Sequence, residues 1–259
     1  MVTFIVVILS ATVISPAPGG GNRRRRSAAA TTRAPAPHAV AAGGAGLRCA
    51  MFESMQLNSV EKALMNNPVR AAVQRLYEGP LLERLGGKVV GQRVLEVGCG
   101  RGVGTEIILE RFAAAEVAAF DLDPDMVARA RRRLRRFPAD RVTVSVGDVT
   151  AIAHPAASFD AVFDFGIIHH VPNWPDAVRE VARVLRPGGR FFFEEVTRHA
   201  LERWAYRRFL SHPQENRFTP EGFVTEVERC GMTVAGNVVT RVFGDFVIGV
   251  ATRQGAPTS

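Results

Sequence analysis

Cysteine is scarce in this chain of 259 residues, which has only three, at positions 49, 99 and 230. These positions have none of the close spacings that zinc ligands or a disulfide framework require. The class of small secreted proteins held together by disulfides is therefore excluded, and no metal is expected. The length suits one good-sized domain with appendages, and the cysteine usage favours a reducing, cytoplasmic compartment.

Acidic residues are missing from the first 52 positions, although six arginines lie there. Those six account for most of the formal charge of +8, because the charges of the other 27 of the 33 basic residues are nearly balanced by 25 acidic residues. The remainder of the chain is thus nearly neutral. Its charge gives no argument for nucleic acid as the partner of the folded part.

No apolar run at the start of the chain is long enough to cross a membrane. Residues 2–14 are apolar, but a spanning helix needs about 20 such residues. The arginines follow this run, whereas a secretory signal places its positive charge first. Residues 15–50 are rich in Ala, Gly, Pro and Arg and cannot build a core. Residues 1–50 are therefore predicted to be a disordered extension, an organelle-targeting segment, a membrane tether acting through residues 2–14, or a stretch that precedes a true start at Met51.

A glycine-rich loop directly follows a short apolar strand within residues 94–105, which read VLEVGCGRGVGT. Glycine allows positive φ and a close backbone approach to a ligand. A helix is predicted from 105 to 115, and its first-turn N–H groups would face the loop. The dinucleotide-binding fingerprint does not fit, because its last glycine position would hold Val103 or Thr105. The glycines stand at every second position: Gly98, Gly100, Gly102 and Gly104.

The acid two residues before this turn, Glu96, completes a pattern that resembles motif I of the class I S-adenosylmethionine-dependent methyltransferases. The resemblance implies S-adenosylmethionine as the cofactor. That molecule carries a sulfonium and an ammonium group, and a partly buried carboxylate suits these two cations. A tight strand-to-helix turn without a ligand is the alternative interpretation of the same residues.

Two further acidic positions fit an adenosine-containing ligand. Asp121 ends a second predicted strand, 117–121, and lies 23 residues after Gly98, so it is predicted to accept the ribose hydroxyls. Asp123 precedes Pro124 and is predicted to cap a helix instead. Asp148, in a Gly-Asp-Val turn after a third strand at 142–146, resembles the family's adenine-binding aspartate, although Gly-Asp by itself indicates only a turn.

A second block strengthens the resemblance. Residues 158–171 contain Phe-Asp and His-His-Val, and a predicted helix at 175–185 leads to Arg-Pro-Gly-Gly at 186–189 and a strand at 190–196. This order is similar to that of the small-molecule class I methyltransferases. The family fold would place the strand within 158–171 beside the first strand, where ligands bind at the carboxyl ends of parallel strands.

The resemblance implies an α/β fold: a Rossmann-like, doubly wound, mostly parallel seven-stranded sheet with helices on both faces. A terminal antiparallel hairpin is predicted around a two-residue turn, Gly244-Asp245. Residues 51–88 would form a helical lid over the cofactor, with simple packing on the edge of the sheet as the alternative, and residues 89–253 would form the methyltransferase domain. Residues 197–217 would be an insertion on the acceptor side.

The predicted site has a cofactor part and a catalytic part. His169 and His170, at the end of the fourth strand, are predicted to act as bases, with Glu194 and Glu195 as further candidates. Packing or shaping the cofactor loop is the alternative role for the two histidines. The resemblance assigns the cofactor to Glu96, Gly98, Cys99, Gly100, Gly102, Asp121, Leu122, Asp148, Val149, Asp164 and Phe165.

The predicted activity is in-line transfer of a methyl group from S-adenosylmethionine to a small acceptor. Aromatic residues in the lid and the insertion indicate a lipophilic acceptor. Residues 164–167 lack the prolines of base-amino methyltransferases, and no cysteine nucleophile follows the fourth or fifth strand, which argues against DNA or RNA bases as acceptors. RNA oxygen methylation and non-catalytic S-adenosylmethionine binding remain as alternatives.

Overall fold

The computed structural model describes residues 67–201 and 216–255. The predictions for residues 1–50, for the start at Met51, for lid residues 51–66 and for insertion residues 202–215 lie outside the described residues. No helix in the described ranges is both long and apolar enough to cross a membrane.

An eight-stranded sheet forms the centre of the domain. Strands β1 to β5 run parallel, and β8 returns antiparallel to β5. The order is β3-β2-β1-β4-β5-β8-β6, and β7 also pairs with β8. The strands are β1 (Arg93–Val97), β2 (Glu116–Asp121), β3 (Val142–Val146), β4 (Phe159–Phe165), β5 (Leu185–Val196), β6 (Met232–Thr233), β7 (Val238–Arg241) and β8 (Phe246–Arg253).

The predicted seven-stranded sheet is confirmed, with its last position divided between two short strands. Met232 of β6 pairs with Arg253 of β8, whereas Val238 of β7 pairs with Gly249. Because β5 lies along the other edge of β8, β6 and β7 follow one another along its free edge. Together they act as one interrupted strand.

Helices flank the sheet and begin at clear sequence signals. Asn67, Asp123 and Thr219 each accept a hydrogen bond from a first-turn N–H group, and each precedes a proline. The predicted cap at Asp123 is therefore confirmed. The helices are α1 (Pro68–Val73), a π-helical turn (Gln74–Glu78), α2 (Gly79–Gly86), α3 (Val103–Glu110), α4 (Pro124–Leu134), a 3-10 turn (Ile168–His170), α5 (Trp174–Val184), α6 (Arg198–Leu201) and α7 (Pro220–Arg229).

The core has one layer on each face of the sheet, because successive strand residues point to opposite faces. Leu95 of β1 packs in the layer with α5 and α7, whereas Val94 packs in the layer with α2 and α3. The second layer contains stacked phenylalanines, with ring centroids of Phe163 and Phe192 4.3 Å apart. Helices on both faces are therefore confirmed.

Two predicted boundaries differ from the structure. The helix predicted from 105 begins at Val103 and ends at Glu110. Strand β5 begins at Leu185, five residues before the predicted start, because the Arg-Pro-Gly-Gly segment is accommodated as an irregularity in the pairing of β5 with β4.

The hairpin is confirmed, but its two-residue turn is wrong. The last strand pair is Arg241 with Phe246, so four residues form the loop. Asp245 closes it by donating its N–H to the carbonyl of Val242 at 3.2 Å. Val242 has a positive φ of 53°, a strained conformation for a β-branched residue that pairing of the flanking strands maintains.

Gly98 and Gly91 allow the packing of the glycine loop to be tested. Both have positive φ, 64° and 71°, so alanine brings a similar backbone cost at each. A methyl group at Gly98 would lie 2.5 Å from a side-chain carbon of Ile167, whereas one at Gly91 has no atom within 4 Å. We expect Gly98→Ala to lower the free energy of unfolding by about 1–3 kcal/mol more than Gly91→Ala, measured by urea denaturation. Equal losses would contradict the close packing of Gly98 on Ile167.

Candidate functional site

The glycine loop is held at the carboxyl ends of β1 and β2. Cys99 donates its N–H to the carbonyl of Phe120 at 2.9 Å. Asp121 accepts the N–H of Gly100 at 2.7 Å through Oδ2 and the N–H of Asp123 at 2.9 Å through Oδ1. The structure thus brings the predicted ribose-binding carboxylate directly against the predicted loop, in a fixed orientation.

Gly104 differs from the other loop glycines because it lies in the first turn of α3, without a positive φ. A methyl group there would lie 2.0 Å from Oε1 of Glu96 and 2.7 Å from Phe165. Glycine is required at this position for close packing of the helix on the carboxylate. The sequence pattern predicted that a positive φ requires glycine at each of these positions, and for Gly104 this prediction is wrong.

The side chain of Glu96, a residue of β1, lies against the first turn of α3 and is almost completely buried. Its Oε2 accepts a hydrogen bond from the hydroxyl of Thr105. Burial raises the pKa of Glu96 to about 8, and the nearby Asp121 and Asp164 add to the rise, although the Thr105 hydrogen bond opposes it. Removing this acid from water thus favours its neutral form near neutral pH.

Four buried acids lie at or near the carboxyl ends of β1, β4 and β5: Glu96, Asp164, Glu194 and Glu195. Alternation along the strands divides them between the two faces of the sheet. Glu96 and Glu194 share the face of α1, α2 and α3, and Asp164 and Glu195 share the face of α5. Each pair therefore has different neighbours.

On the first face, Glu194 is tied to the helical segment that precedes the glycine loop. Arg70 of α1 reaches Oε2 of Glu194 at 3.1 Å and the carbonyl of Phe165 at 3.3 Å through Nη2, and its Nη1 bonds Glu78. Burial raises the pKa of Glu194 to about 8, and Glu78 adds to the rise, although Arg70 opposes it. Sequence reasoning missed Arg70, because nothing in the local pattern connects it to an acid 124 residues away.

On the second face, Glu195 is completely buried behind His169. Its Oε1 accepts the N–H of Ile168 at 2.6 Å, and its Oε2 lies 2.6 Å from Nδ1 of His169 and 3.2 Å from its backbone nitrogen. Asp164, on the neighbouring strand and the same face of the sheet, lies close enough to Glu195 for the charge of Glu195 to raise the pKa of Asp164. The structure thus joins a predicted base and a predicted cofactor residue through Glu195.

A small cavity of about 10 Å³ lies beside His169, which is room for about one water molecule. Leu201 and Asn216, the residues that flank the segment 202–215, both line it. The wall is mostly apolar, with His169 and Arg217 as its charged or titratable members. The lining residues are His169, Val171, Trp174, Val196, Leu201, Asn216, Arg217 and Phe218.

The other predicted site residues have more ordinary surroundings. Asp148 accepts the N–H and the hydroxyl of Thr150 at 2.8 and 2.7 Å, within its own turn. Val149 is buried and Leu122 half-buried. The ring of His170 lies 4.1 Å from that of His169, centroid to centroid. Their predicted roles at the cofactor or in catalysis stay predictions.

The described residues suit a cationic, adenosine-containing ligand. A methyl group at Gly100 would meet no atom within 4 Å, so the loop surface beside Asp121 is open. Burial raises the pKa of Glu96, Asp164 and Glu194 alike, and a nearby cation would favour the ionised form of each. No group of three or more possible metal ligands occurs among the described residues.

Comparison with known proteins agrees with this geometry. Residues 95–193 match a family model described as a methyltransferase domain. The chain is 37% identical over 117 residues to a fatty-acid O-methyltransferase of Mycolicibacterium smegmatis, covering 45% of this chain and 42% of that protein. It is 35% identical over 170 residues to a malonyl-[acyl-carrier protein] O-methyltransferase of Halorhodospira halophila, covering 61% and 57%. The matches thus span about half the length of these curated relatives.

A solved structure gives the same result for the fold. The crystal structure of an S-adenosylmethionine-dependent methyltransferase from Aquifex aeolicus superimposes with a TM-score of 0.58 at 20% identity, covering 76% of this chain and 98% of that one. At this identity the similarity concerns the fold alone.

The buried state of Glu96 can be tested through the pH dependence of the protein's stability. Since its pKa is raised to about 8 in the folded protein from an ordinary value of 4.5, its contribution to stability is full below about pH 4.5 and is lost as the pH rises through 8. Glutamine imitates the neutral acid. We expect the melting temperature of Glu96→Gln, relative to the unmodified protein, to rise by several degrees between pH 5.5 and 8.5, because each pKa unit is worth about 1.4 kcal/mol.

Glu116→Gln is the matched control. Glu116 lies at the opposite end of the sheet in a half-exposed pair with Arg93, 3.0 Å away. The melting temperature of the Glu116→Gln variant, relative to that of the unmodified protein, should change little with pH. A Glu96→Gln curve parallel to that of the unmodified protein at every pH would refute the buried, proton-holding state of Glu96.

Proposed function

Since its fold, motif order and family match make this chain a member of the class I S-adenosylmethionine-dependent methyltransferases, we propose that it transfers the methyl group of S-adenosylmethionine to an oxygen of a small apolar acceptor. The observation that carries the proposal is the position of His169. This titratable side chain lies in the wall of a mostly apolar cavity, at the sheet edge that also carries the glycine loop.

The cofactor's adenosine would be held by Asp121, which lies against the loop and can accept the ribose hydroxyls. Loop residues 98–102 would approach the ligand through their backbone, and Glu96 would contribute negative potential beneath it. When bound, S-adenosylmethionine supplies a methyl group on a sulfonium, and the electron pair of the broken carbon–sulfur bond stays on sulfur as the new carbon–oxygen bond forms. The protein's part in this step is alignment of the acceptor oxygen.

His169 would take the proton of a hydroxyl acceptor. An alcohol or phenol is a weak nucleophile until its proton is removed, so a positioned base accelerates its attack. A carboxylate acceptor would not need this help, because it is already ionised near neutral pH. The proposal therefore commits to a hydroxyl-bearing acceptor for the role of His169.

The apolar acceptor is supported by the cavity wall and by the name of one relative, a fatty-acid O-methyltransferase. We place the acceptor side at residues 197–217, because Leu201 and Asn216 both line the cavity. Binding would require the walls of this water-sized cavity to move apart. The scarcity of cysteine supports a cytoplasmic site of action.

The cofactor assignment can be tested with two neighbouring aspartates. We expect Asp121→Asn to weaken binding of S-adenosylmethionine by roughly tenfold or more, since a charged hydrogen bond is worth about 1.5–3 kcal/mol. The control Asp123→Asn removes the same charge two residues away while keeping a helix cap, and should change the affinity by less than about twofold. Isothermal titration calorimetry measures both. Equal weakening in both variants would mean that charge in general, and not the position of Asp121, matters.

The acceptor class can be tested by transfer of a radiolabelled methyl group from S-adenosylmethionine. The panel contains apolar phenols and alcohols, medium-chain fatty acids, and small polar hydroxy acids. We expect methyl esters or ethers only from the apolar members, because the cavity wall offers few polar partners. Methylation restricted to polar acceptors would refute the apolar site. Cofactor binding without transfer to any acceptor, RNA included, would instead indicate a non-catalytic binding protein.

A further inference from the structure

Three acidic or imidazole groups form a continuous buried chain on the second face of the sheet. Asp164 of β4 lies close enough to Glu195 of β5 for the charge of Glu195 to raise its pKa, and Oε2 of Glu195 lies 2.6 Å from Nδ1 of His169 in the 3-10 turn. The two acids are fully buried, and the side chain of His169 is only 5% exposed. A buried chain of this kind is stable only if its protons are distributed so that each contact has one donor.

Glu195 is surrounded by donors. The backbone N–H groups of Ile168 and His169 point at its two oxygens, at 2.6 and 3.2 Å. A carboxylate suits these neighbours, since a protonated acid would lose an acceptor position. The ring atom Nδ1 of His169, 2.6 Å from Oε2, must then carry a hydrogen and donate it.

Asp164 has the opposite character. Its Oδ1 accepts the N–H groups of Gly166 and Ile167 at 3.1 and 3.0 Å. Its buried Oδ2 receives no N–H or O–H donor from the described residues. Burial first, and then the charge of Glu195, raise the pKa of Asp164 well above its ordinary value. Burial also raises the pKa of Glu195, to about 7. Both oxygens of Glu195 receive N–H contacts, whereas Oδ2 of Asp164 receives none, and this difference favours the proton on Asp164.

We infer that Glu195 and Asp164 are positioning residues that hold His169 in the tautomer with hydrogen on Nδ1 and the basic lone pair on Nε2. Asp164 is the neutral acid that donates to Glu195, and Glu195 is the carboxylate that accepts from His169. When a hydroxyl acceptor loses its proton, that proton goes to Nε2, and the resulting imidazolium is paired with the Glu195 carboxylate. Glu195, predicted from sequence as a base, acts here through His169.

The inference rests on the proposed function for the acceptor's proton, but the arrangement of protons can be measured without any acceptor. Other charged groups near His169 in the described residues are few. Glu194 lies beside Glu195 on the opposite face and raises its pKa, the ring of His170 lies 4.1 Å from that of His169 at an angle of 38°, and Arg217 lines the same cavity.

The test is the tautomer of His169 in the full chain, read by nitrogen NMR of ¹⁵N-histidine-labelled protein, with His169→Gln identifying its signals among the six histidines. We expect the unmodified protein to carry the hydrogen on Nδ1. Glu195→Gln leaves one acceptor oxygen. That oxygen is expected to stay on the N–H of Ile168, because this backbone contact is shorter than the one with the N–H of His169, 2.6 against 3.2 Å. The amide N–H group then lies opposite Nδ1 and should move the hydrogen to Nε2. Asp164→Asn should leave the tautomer unchanged, because its amide donates to Glu195 as the neutral acid does and its oxygen still accepts from Gly166.

The kinetic readout distinguishes positioning from mere structural support. In Glu195→Gln we expect kcat for a hydroxyl acceptor to fall on the order of 10²-fold or more, with the affinity for S-adenosylmethionine within about twofold. The acid limb of the kcat profile should move to lower pH by about one unit, because the imidazolium loses its carboxylate partner.

The inference is overturned if the unmodified protein carries the hydrogen on Nε2, if Asp164→Asn moves it, or if Glu195→Gln changes the tautomer without changing kcat. Should Glu195→Gln fail to fold, the spectra of the unmodified protein and of Asp164→Asn still decide. An intact Nδ1–H signature in a protein that methylates no hydroxyl acceptor would refute the proposed function and leave the proton arrangement established.

Discussion

Removal of carboxylates from water at the carboxyl edge of the sheet is the constraint on which the site depends. A buried, uncompensated carboxylate is costly, and this edge carries Glu96, Asp164, Glu194 and Glu195 within a few strands. The protein meets this cost by two routes. Burial raises the pKa of the acids, so that Glu96 is neutral near pH 7, and hydrogen bonds from guanidinium, backbone or hydroxyl groups stabilise the carboxyl oxygens. A cation bound at this edge would favour the ionised form of these acids and would so be paired with negative charge.

The sheet separates these acids into two systems with different tasks. On one face, Arg70 ties the helical segment before the glycine loop to Glu194 and to the end of β4. On the other face, Asp164 and Glu195 support His169 beside the cavity. Because Glu194 and Glu195 are adjacent in sequence and point to opposite faces, a single dipeptide connects the anchoring of the helical segment before the glycine loop with the orientation of the proposed base.

Much of the fold could be predicted because the relevant signals are local. Pro124 after Asp123 gave the start of α4, and the apolar runs that became β1, β2 and β3 were found within one residue. The four-residue hairpin loop and the early start of β5 were missed. Both depend on pairing with a neighbouring strand, and a local propensity does not contain that pairing energy.

The sequence by itself determined the order of strands and helices, the glycine loop, and the candidate residues at the strand ends, because periodicity and turn chemistry act over a few residues. Only the tertiary structure decided that Gly104 is needed for contact with Glu96 and that Arg70 pairs with Glu194. It alone also decided that Glu195 lies behind His169 and next to Asp164. These contacts join residues far apart in the chain, and the protonation of each acid follows from how much water the fold leaves around it.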